Sequence, residues 1–265
     1  MRKNYNTNHT FAVCAYRESP YLEECLRSLL AQRIPSNIIV CTSTPNAHIQ
    51  GLAGKYGLPL YVREGGSDIQ TDWNFAYDTA NTQFVTIAHQ DDVYGRDYTR
   101  VLLEKAGQYA DMSIFFCSYV TIKGTDRAPR ERSSLVKRLL CLPVSLTGLA
   151  DRSWLKKSCL CLGNAISCPM TTYNKNIVGP TPFRSRLKYA LDWEMYWKLS
   201  CRPGRFVYER KPQGFFRVHA EATSKKFIMN HKKEREDWEM FRHFWPDWLA
   251  RVIMKAYRKS CSAYD

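Results

Sequence analysis

Gln83–Ala88 (QFVTIA) and the His89-Gln90-Asp91-Asp92 that follows it form the stretch on which the fold turns. Six residues rich in β-branched, aromatic and apolar types, bounded by polar ones, fit a strand buried on both faces. Two adjacent carboxylates stand where that strand ends. In open α/β sheets ligands gather outside the carboxyl ends of the strands. A hard divalent cation bridging phosphate oxygens needs one or two carboxylates there, because substrate and water supply the rest. An Asp pair at such a place also serves as a cap or a turn, so the surrounding sequence has to decide between these uses.

Upstream, Thr10–Ala15 (TFAVCA) and Asn37–Cys41 (NIIVC) read as strands, with Leu60–Arg63 a weaker third. Ser19-Pro20 is expected to open a helix, Ser19 as N-cap, Pro20 at the first position and Glu23 and Glu24 in the first turn. Leu22, Leu26, Leu29 and Leu30 give that helix one apolar face. Thr71-Asp72 is expected to cap a second helix running to about Asn81. Downstream of the carboxylates, a helix near Asp97–Tyr109 precedes a strand around Met112–Val120. Strand and helix alternating at this pace call for an α/β fold with a mostly parallel central sheet and right-handed crossovers.

The 265 residues carry 39 Lys+Arg against 25 Asp+Glu, a formal net charge of +14. The excess is uneven: residues 1–122 are at −2 and residues 123–265 at +16. The second half therefore points towards an anionic partner: a phosphorylated ligand, a membrane surface or nucleic acid. No recognisable nucleic-acid module accompanies the charge, and no nucleic-acid partner is expected. Hydrophobic content of 45% excludes a disordered chain. No run of about 18 apolar residues is present for a membrane span. The polar Met1–Thr10, together with ten cysteines at scattered spacings, fits a reduced, cytoplasmic setting. Cys159-Leu160-Cys161 lacks the second half of a zinc site.

Beyond Lys123 the pattern changes. Residues 123–160 form a basic, partly amphipathic insertion containing Ser133–Leu142 (SSLVKRLLCL). Ala165–Tyr173 is expected to return to the sheet, Arg186–Ser200 to form a Trp- and Tyr-rich helix, and Phe206–Tyr208 and Phe215–Val218 to form short strands. Lys225–His243 and Asp247–Lys259 read as terminal helices. The last has Trp245, Trp248, Val252 and Ile253 against Arg251, Lys255, Arg258 and Lys259, a composition that suits an anionic membrane surface as well as a docked helix.

Three motifs in order resemble the family 2 glycosyltransferases, nucleotide-sugar enzymes of the GT-A fold. They are Phe11–Gln32 (FAVCAYRESPYLEECLRSLLAQ), His89-Gln90-Asp91-Asp92 in place of an Asp-x-Asp-Asp motif, and Leu191-Asp192-Trp193-Glu194 in place of a Glu-Asp-Trp-acidic motif. The resemblance runs from about Thr10 to His219. It implies a GT-A domain over residues 1–220 and a basic helical extension over 221–265.

It further implies an inverting, Mn²⁺- or Mg²⁺-dependent transfer from a nucleotide-diphosphate sugar, with uridine preferred, to a saccharide or lipid-linked acceptor in cell-envelope or exopolysaccharide synthesis. Carried over, Asp92 and Asp91 become metal ligands, with His219 as a further one. Ala15, Tyr16, Glu18, Thr42, Ser43, Asp72, Asn74, His89, Gln90 and Asp91 become the nucleotide-sugar site. Asp192 becomes the general base, with Trp193 and Glu194 on the acceptor. Arg217, Lys225 and Lys226 would cover the phosphates as a basic lid. Peripheral attachment at the inner face of the cell membrane would follow from the basic helices.

Two departures keep rivals open. His89 stands for the first acidic residue and Leu191 for the Glu before the catalytic Asp. A catalytically degenerate nucleotide-sugar-binding protein of the same fold, or a nucleic-acid-binding protein using the basic half, are the alternatives.

Overall fold

Strand β1 (His9–Ala15) is buried along nearly its whole length and stands near the middle of a nine-stranded sheet. The computed structural model describes residues 7–124, 126–128, 132–145, 147–219 and 232–261. β1 pairs in parallel with β2 (Asn37–Thr42) on one side and with β4 (Phe84–His89) on the other, and β2 pairs in parallel with β3 (Leu60–Val62). The register sets Cys14 opposite His89, so the ends of β1 and β4 open together on one crevice. Chain order reverses there: β1 connects to a neighbour on one side and β4 lies on the other, which is where α/β sheets bind ligands.

The sheet continues through β8 (Thr171–Asn174), antiparallel to both β4 and β6 (Met112–Lys123), and ends with β9 (Arg205–Val218) and β5 (Val93–Tyr94). The short β7 (Asp126–Ala128) pairs with β6. Phe206–Tyr208 and Phe215–Val218 prove to be two stretches of one strand. Its register against β6 shifts between Cys117 and Tyr119, and Pro212, which has no N–H for the ladder, lies in the irregular piece between them.

Alternate residues of β1 feed opposite cores. Phe11, Val13 and Ala15 face helices α1 (Leu22–Leu30), α2 (Ala47–Lys55) and α4 (Tyr98–Gln108). Ala12 faces α3 (Ile69–Thr79) and α8 (Leu191–Ser200), and two C-terminal helices, α9 (Lys232–Arg242) and α10 (Asp247–Cys261), join the same core through Met240, Phe241, Ala250 and Met254. The nine cysteines from Cys14 to Cys201 are free thiols, six of them buried.

Several local expectations need correction. Ser19 does not cap α1: its hydroxyl accepts the Tyr21 N–H at 3.3 Å, and the helix begins three residues later at Leu22. α3 is capped by Asp68, which accepts the Thr71 N–H, so Asp72 is left free in the first turn for other bonds. α8 starts at Leu191 rather than Arg186, because the N–H groups of Lys188, Tyr189 and Ala190 donate to the Glu236 carboxylate instead of to helical carbonyls. Lys225, Lys226 and the start of the Lys225–His243 helix lie outside the described residues.

Part of the basic excess is spent inside the fold. Lys156, in α6 (Ser153–Ser158), donates to the carbonyls of Arg202 and Gly204, and Lys175 donates to those of Tyr77 and Ala80.

Candidate active site

A cavity of about 560 Å³ opens at the carboxyl ends of β1, β2 and β4 and reaches the N-terminus of α8. Among the predicted site residues, Ala15, Tyr16, Thr42, Ser43, Asp72, His89, Gln90, Asp91, Asp92, Asp192 and Trp193 line it. Glu18, Asn74, Glu194 and His219 do not.

The flank formed by β1, β2 and α3 is held by polar side chains. Arg17 adopts a left-handed conformation (φ 53°), fixed by donation of its N–H to Thr44 Oγ1 at 2.7 Å. Strained turns of this kind cluster at ligand sites. The turn exposes the neighbouring Tyr16, whose N–H donates to Gln90 Oε1 at 2.8 Å while Gln90 Nε2 donates back to the Tyr16 carbonyl at 3.0 Å. Gln90 thus fastens the end of β4 to the end of β1. Asp72 is a hub: Arg63 meets it at 2.8 Å, and the hydroxyls of Ser43 and Ser67 donate to it at 3.0 and 2.8 Å. Asn74 is not a floor for a donor. Its amide is consumed by both backbone groups of Phe183, donating at 2.7 Å and accepting at 3.0 Å. Glu18 is exposed beyond the cavity wall.

At the centre, His89, Asp91 and Asp92 bring one ligand atom each within 4.8 Å of one another. Asp92 is 1% exposed; Oδ1 accepts the Arg217 N–H at 2.8 Å, and Oδ2 is buried without a partner. Burial, reinforced by the Asp91 charge, pushes its carboxyl well above the ordinary range. His89 Nε2 is likewise buried and unpartnered, and burial lowers the ring's pKa against the pull of Asp91, which keeps the imidazole neutral.

Burial alone would raise Asp91, yet opposing interactions, the hydrogen bond from His219 first among them, bring the carboxyl below the usual range. His219 Nε2 lies 2.9 Å from Asp91 Oδ2. An ionised carboxylate only accepts, so this nitrogen carries the proton and His219 stands behind the cluster, not in it. The donor set of one neutral imidazole and two carboxylates, with two orphaned buried atoms, fits a divalent cation.

Arg217 is no lid. It is 7% exposed, its Nε donates to the Asp91 carbonyl at 2.9 Å, its Nη2 pairs with Glu24, and its guanidinium lies over the Tyr21 ring. It braces the carboxylate turn from the cavity wall.

Asp192 stands in the first turn of α8. Its Oδ1 accepts the Trp193 N–H at 2.8 Å and its Oδ2 accepts Asn164 Nδ2 at 2.9 Å. Burial raises its pKa to about 6, opposed by those bonds and by Lys137. Lys137, from α5 (Arg132–Cys141), lines the cavity as well, a position that its basic, amphipathic segment does not announce. Burial works against its charge, but Tyr119 and Asp192 outweigh it and hold the ammonium above the ordinary lysine value. Trp193 reaches the cavity wall as core: it is 2% exposed, its Nε1 donates to the Leu160 carbonyl at 3.1 Å, and its ring meets Phe241 edge-on at 5.2 Å. Glu194 points the other way, to Lys198 at 3.1 Å and a separate, more open groove.

A search of curated proteins finds no match. Among solved structures, S. aureus TarS 1–349 in complex with UDP-GlcNAc superposes with a TM-score of 0.62 at 14% identity, over 94% of this chain and 71% of that one. The mannosyltransferase PcManGT from Pyrobaculum calidifontis, in complex with GDP-Man and Mn²⁺, superposes with a TM-score of 0.60 at 13% identity, over 98% and 76%. At such identities the likeness establishes the fold: a curled, mostly parallel GT-A sheet flanked by helices. The family model described as glycosyl transferase family 2 matches residues 10–162. That span is more than half of the sequence and contains the carboxylate turn, so the chain belongs to glycosyl transferase family 2.

Proposed function

We propose that this chain is an inverting glycosyltransferase that takes a sugar from a nucleotide-diphosphate donor, a UDP-sugar first among them, to a saccharide or lipid-linked acceptor. The observation that carries the reading is the meeting, in one cavity, of the His89–Asp91–Asp92 donor set with the carboxylate of Asp192. His89, Asp91 and Asp92 would hold Mn²⁺ or Mg²⁺, which when bound neutralises charge on the diphosphate leaving group. Tyr16, 39% exposed at the cavity mouth, offers a ring for base stacking, and Thr42 and Ser43 offer hydroxyls. Asp72 keeps Ser43 and Ser67 in place. Asp192 takes the proton of the acceptor hydroxyl, a step typically worth about 10²–10⁴-fold. With a pKa of about 6 it is mostly ionised at neutral pH, and Asn164 and Lys137 orient and stabilise the anion. Attack from the face opposite the leaving group inverts the anomeric centre.

His89 motivates the rival of a binding-only protein, but a neutral imidazole with a free nitrogen is itself a competent ligand. The nucleic-acid rival loses support from the lysines and arginines that are engaged internally.

The membrane partner belongs to the same proposal. α5 turns much of its apolar side outward: Ser134 and Cys141 are buried, Leu140 packs on the core and Lys137 faces the cavity, while Leu135, Val136 and Leu139, with Leu142 just past the helix, face outward, Leu139 being 65% exposed. α10 buries Ala250 and Met254 and turns Trp248, Arg251, Val252 and Lys255 outward. Apolar side chains interspersed with cations suit an anionic lipid surface. No helix among the described residues is long and apolar enough to cross a membrane.

The reading is tested by thermal shift with UDP and GDP, each with Mn²⁺ and with chelator. Saturation at 100 times Kd adds about 2.7 kcal/mol of stability. A rise with a diphosphate and Mn²⁺ supports the reading; no rise with either nucleotide removes it.

A further inference from the structure

The C-terminal helix α9 delivers two consecutive carboxylates to the α8 side of the cavity, and they do different work. Glu236 is used up by backbone: it accepts the N–H groups of Lys188, Tyr189 and Ala190 at 2.7–3.0 Å. Asp237 is not. It lines the cavity at 1% exposure; its Oδ2 is held by Lys233 Nζ at 2.6 Å, and its Oδ1 is buried with no partner. Its position follows from helix geometry. Phe241, one turn along α9, packs edge-on against Trp193, the residue after Asp192. With Glu236 bonded to residues 188–190 and Phe241 against Trp193, the stretch of α9 that holds Asp237 lies along the start of α8. A buried carboxylate oxygen without a bonding partner is unfavourable, and this one belongs to a side chain that lines the cavity.

We propose that Asp237, steadied by Lys233, is the hydrogen-bonding post for a hydroxyl of a saccharide acceptor, in a subsite closed by Tyr257 of α10. The proposal rests on the reading of the cavity as a glycosyl-transfer site. The ligand chemistry follows from the wall. An acceptor-only carboxylate asks for O–H donors, and the wall around it is aromatic: Tyr189 and Tyr257 line the same cavity, each with Lys233 Nζ over its ring at 5.4 and 4.7 Å. A ligand with its own carboxylate or phosphate at this point would meet Asp237 unfavourably. The C-terminal helices then form part of the specificity apparatus, and acceptor choice is written 45 residues beyond Asp192, outside the stretch that the family model matches.

The test is saturation-transfer NMR on the full chain with UDP and Mn²⁺ present, using the methyl glycosides of N-acetylglucosamine, glucose, galactose and mannose as probes. UDP affinity is measured alongside. At least one glycoside should bind the wild type, Asp237→Asn should weaken it about tenfold or more, and UDP affinity should stay within about twofold, a difference of about 0.4 kcal/mol. Asn fills the same volume and keeps an oxygen for Lys233, so unchanged UDP binding also reports an intact fold. Glycosides that bind the variant as they bind the wild type, or that bind neither while UDP binds both, overturn the assignment of Asp237. Failure of UDP to bind the wild type instead overturns the glycosyl-transfer reading itself.

Discussion

Glu236 Oε2 accepts the backbone N–H of Ala190 at 2.9 Å, two residues before Asp192 and across 46 positions of sequence. The same carboxylate takes the N–H groups of Lys188 and Tyr189, so one side chain satisfies three donors at a helix N-terminus, where negative charge is also favoured by the macrodipole. Glu236→Ala strands these donors and should cost about 1–3 kcal/mol of stability. Turnover should fall more than nucleotide affinity, because the nucleotide flank of β1 and β2 is built elsewhere. A melting curve and a nucleotide titration on one preparation check both; a variant that melts like the wild type would show that the three bonds are incidental.

Asp192→Asn should abolish transfer while leaving nucleotide affinity nearly unchanged. Asn retains an oxygen for the Trp193 N–H but cannot accept the acceptor proton, an expected loss of about 10²–10⁴-fold. In the wild type, activity should decline as pH falls through about 6, where Asp192 becomes protonated. A pH–rate profile flat from neutrality to pH 5 would assign the base elsewhere.

The same residue makes a stability prediction of definite sign. Its folded pKa is raised from 3.8 to about 6, so the folded state holds the proton more tightly than the unfolded state. The carboxyl is therefore harmless at low pH, and stability is lost as pH climbs between about 4 and 6. Because Asp192 is only half-buried, solvent discounts the effect to at most about 2 kcal/mol. Asp192→Asn should accordingly gain stability relative to wild type between pH 4 and pH 7. Parallel melting temperatures across that range would refute the shift.

Nucleoside-diphosphate binding should depend on a divalent cation. Mn²⁺ should tighten UDP at least about tenfold over chelator, or about 1.4 kcal/mol. Asp92→Asn, which keeps an acceptor for the Arg217 N–H, should erase that gain, and His89→Ala should reduce it less. Calorimetry giving equal affinity with Mn²⁺ and with chelator would remove the cation from the site.

Membrane attachment should map to the outward leucines of α5 before the C-terminus. Leu135→Ser with Leu139→Ser should lower cosedimentation with phosphatidylglycerol vesicles and leave the melting temperature within about 0.5 kcal/mol equivalent, since both side chains are exposed. If the wild type stays in the supernatant at low salt, the surface serves another purpose.

What the sequence discloses here depends on how local the signal is. β1, β2 and β4 are short apolar runs with both faces covered, and their limits are read to within a residue or two. The carboxylate turn and Asp192 are equally visible because a strand end and a helix start announce them. Asn74, Glu194 and His219 mislead because type and approximate place are right while the side chain is turned to Phe183, Lys198 and Asp91. α2 escapes notice because Ala47–Lys55 (AHIQGLAGK) has two glycines and no clean apolar stripe. Lys137 is hidden in a helix whose apolar residues are split between core and surface, so its pattern does not show which side is inward. Glu236 and Asp237 sit in a run of charges, KKEREDWEM, where nothing local distinguishes the two that meet α8 from those in solvent.

The most direct test of the central claim is release of nucleoside diphosphate from a nucleotide sugar. Wild-type protein and Asp192→Asn are incubated with UDP-N-acetylglucosamine or GDP-mannose and Mn²⁺, and free UDP or GDP is measured against time. The account predicts cation-dependent release by the wild type from at least one donor, and release at least about 100-fold slower in the variant, which still binds the nucleotide. Release at equal rates by both proteins, or none by a wild type that binds neither UDP nor GDP, would contradict it.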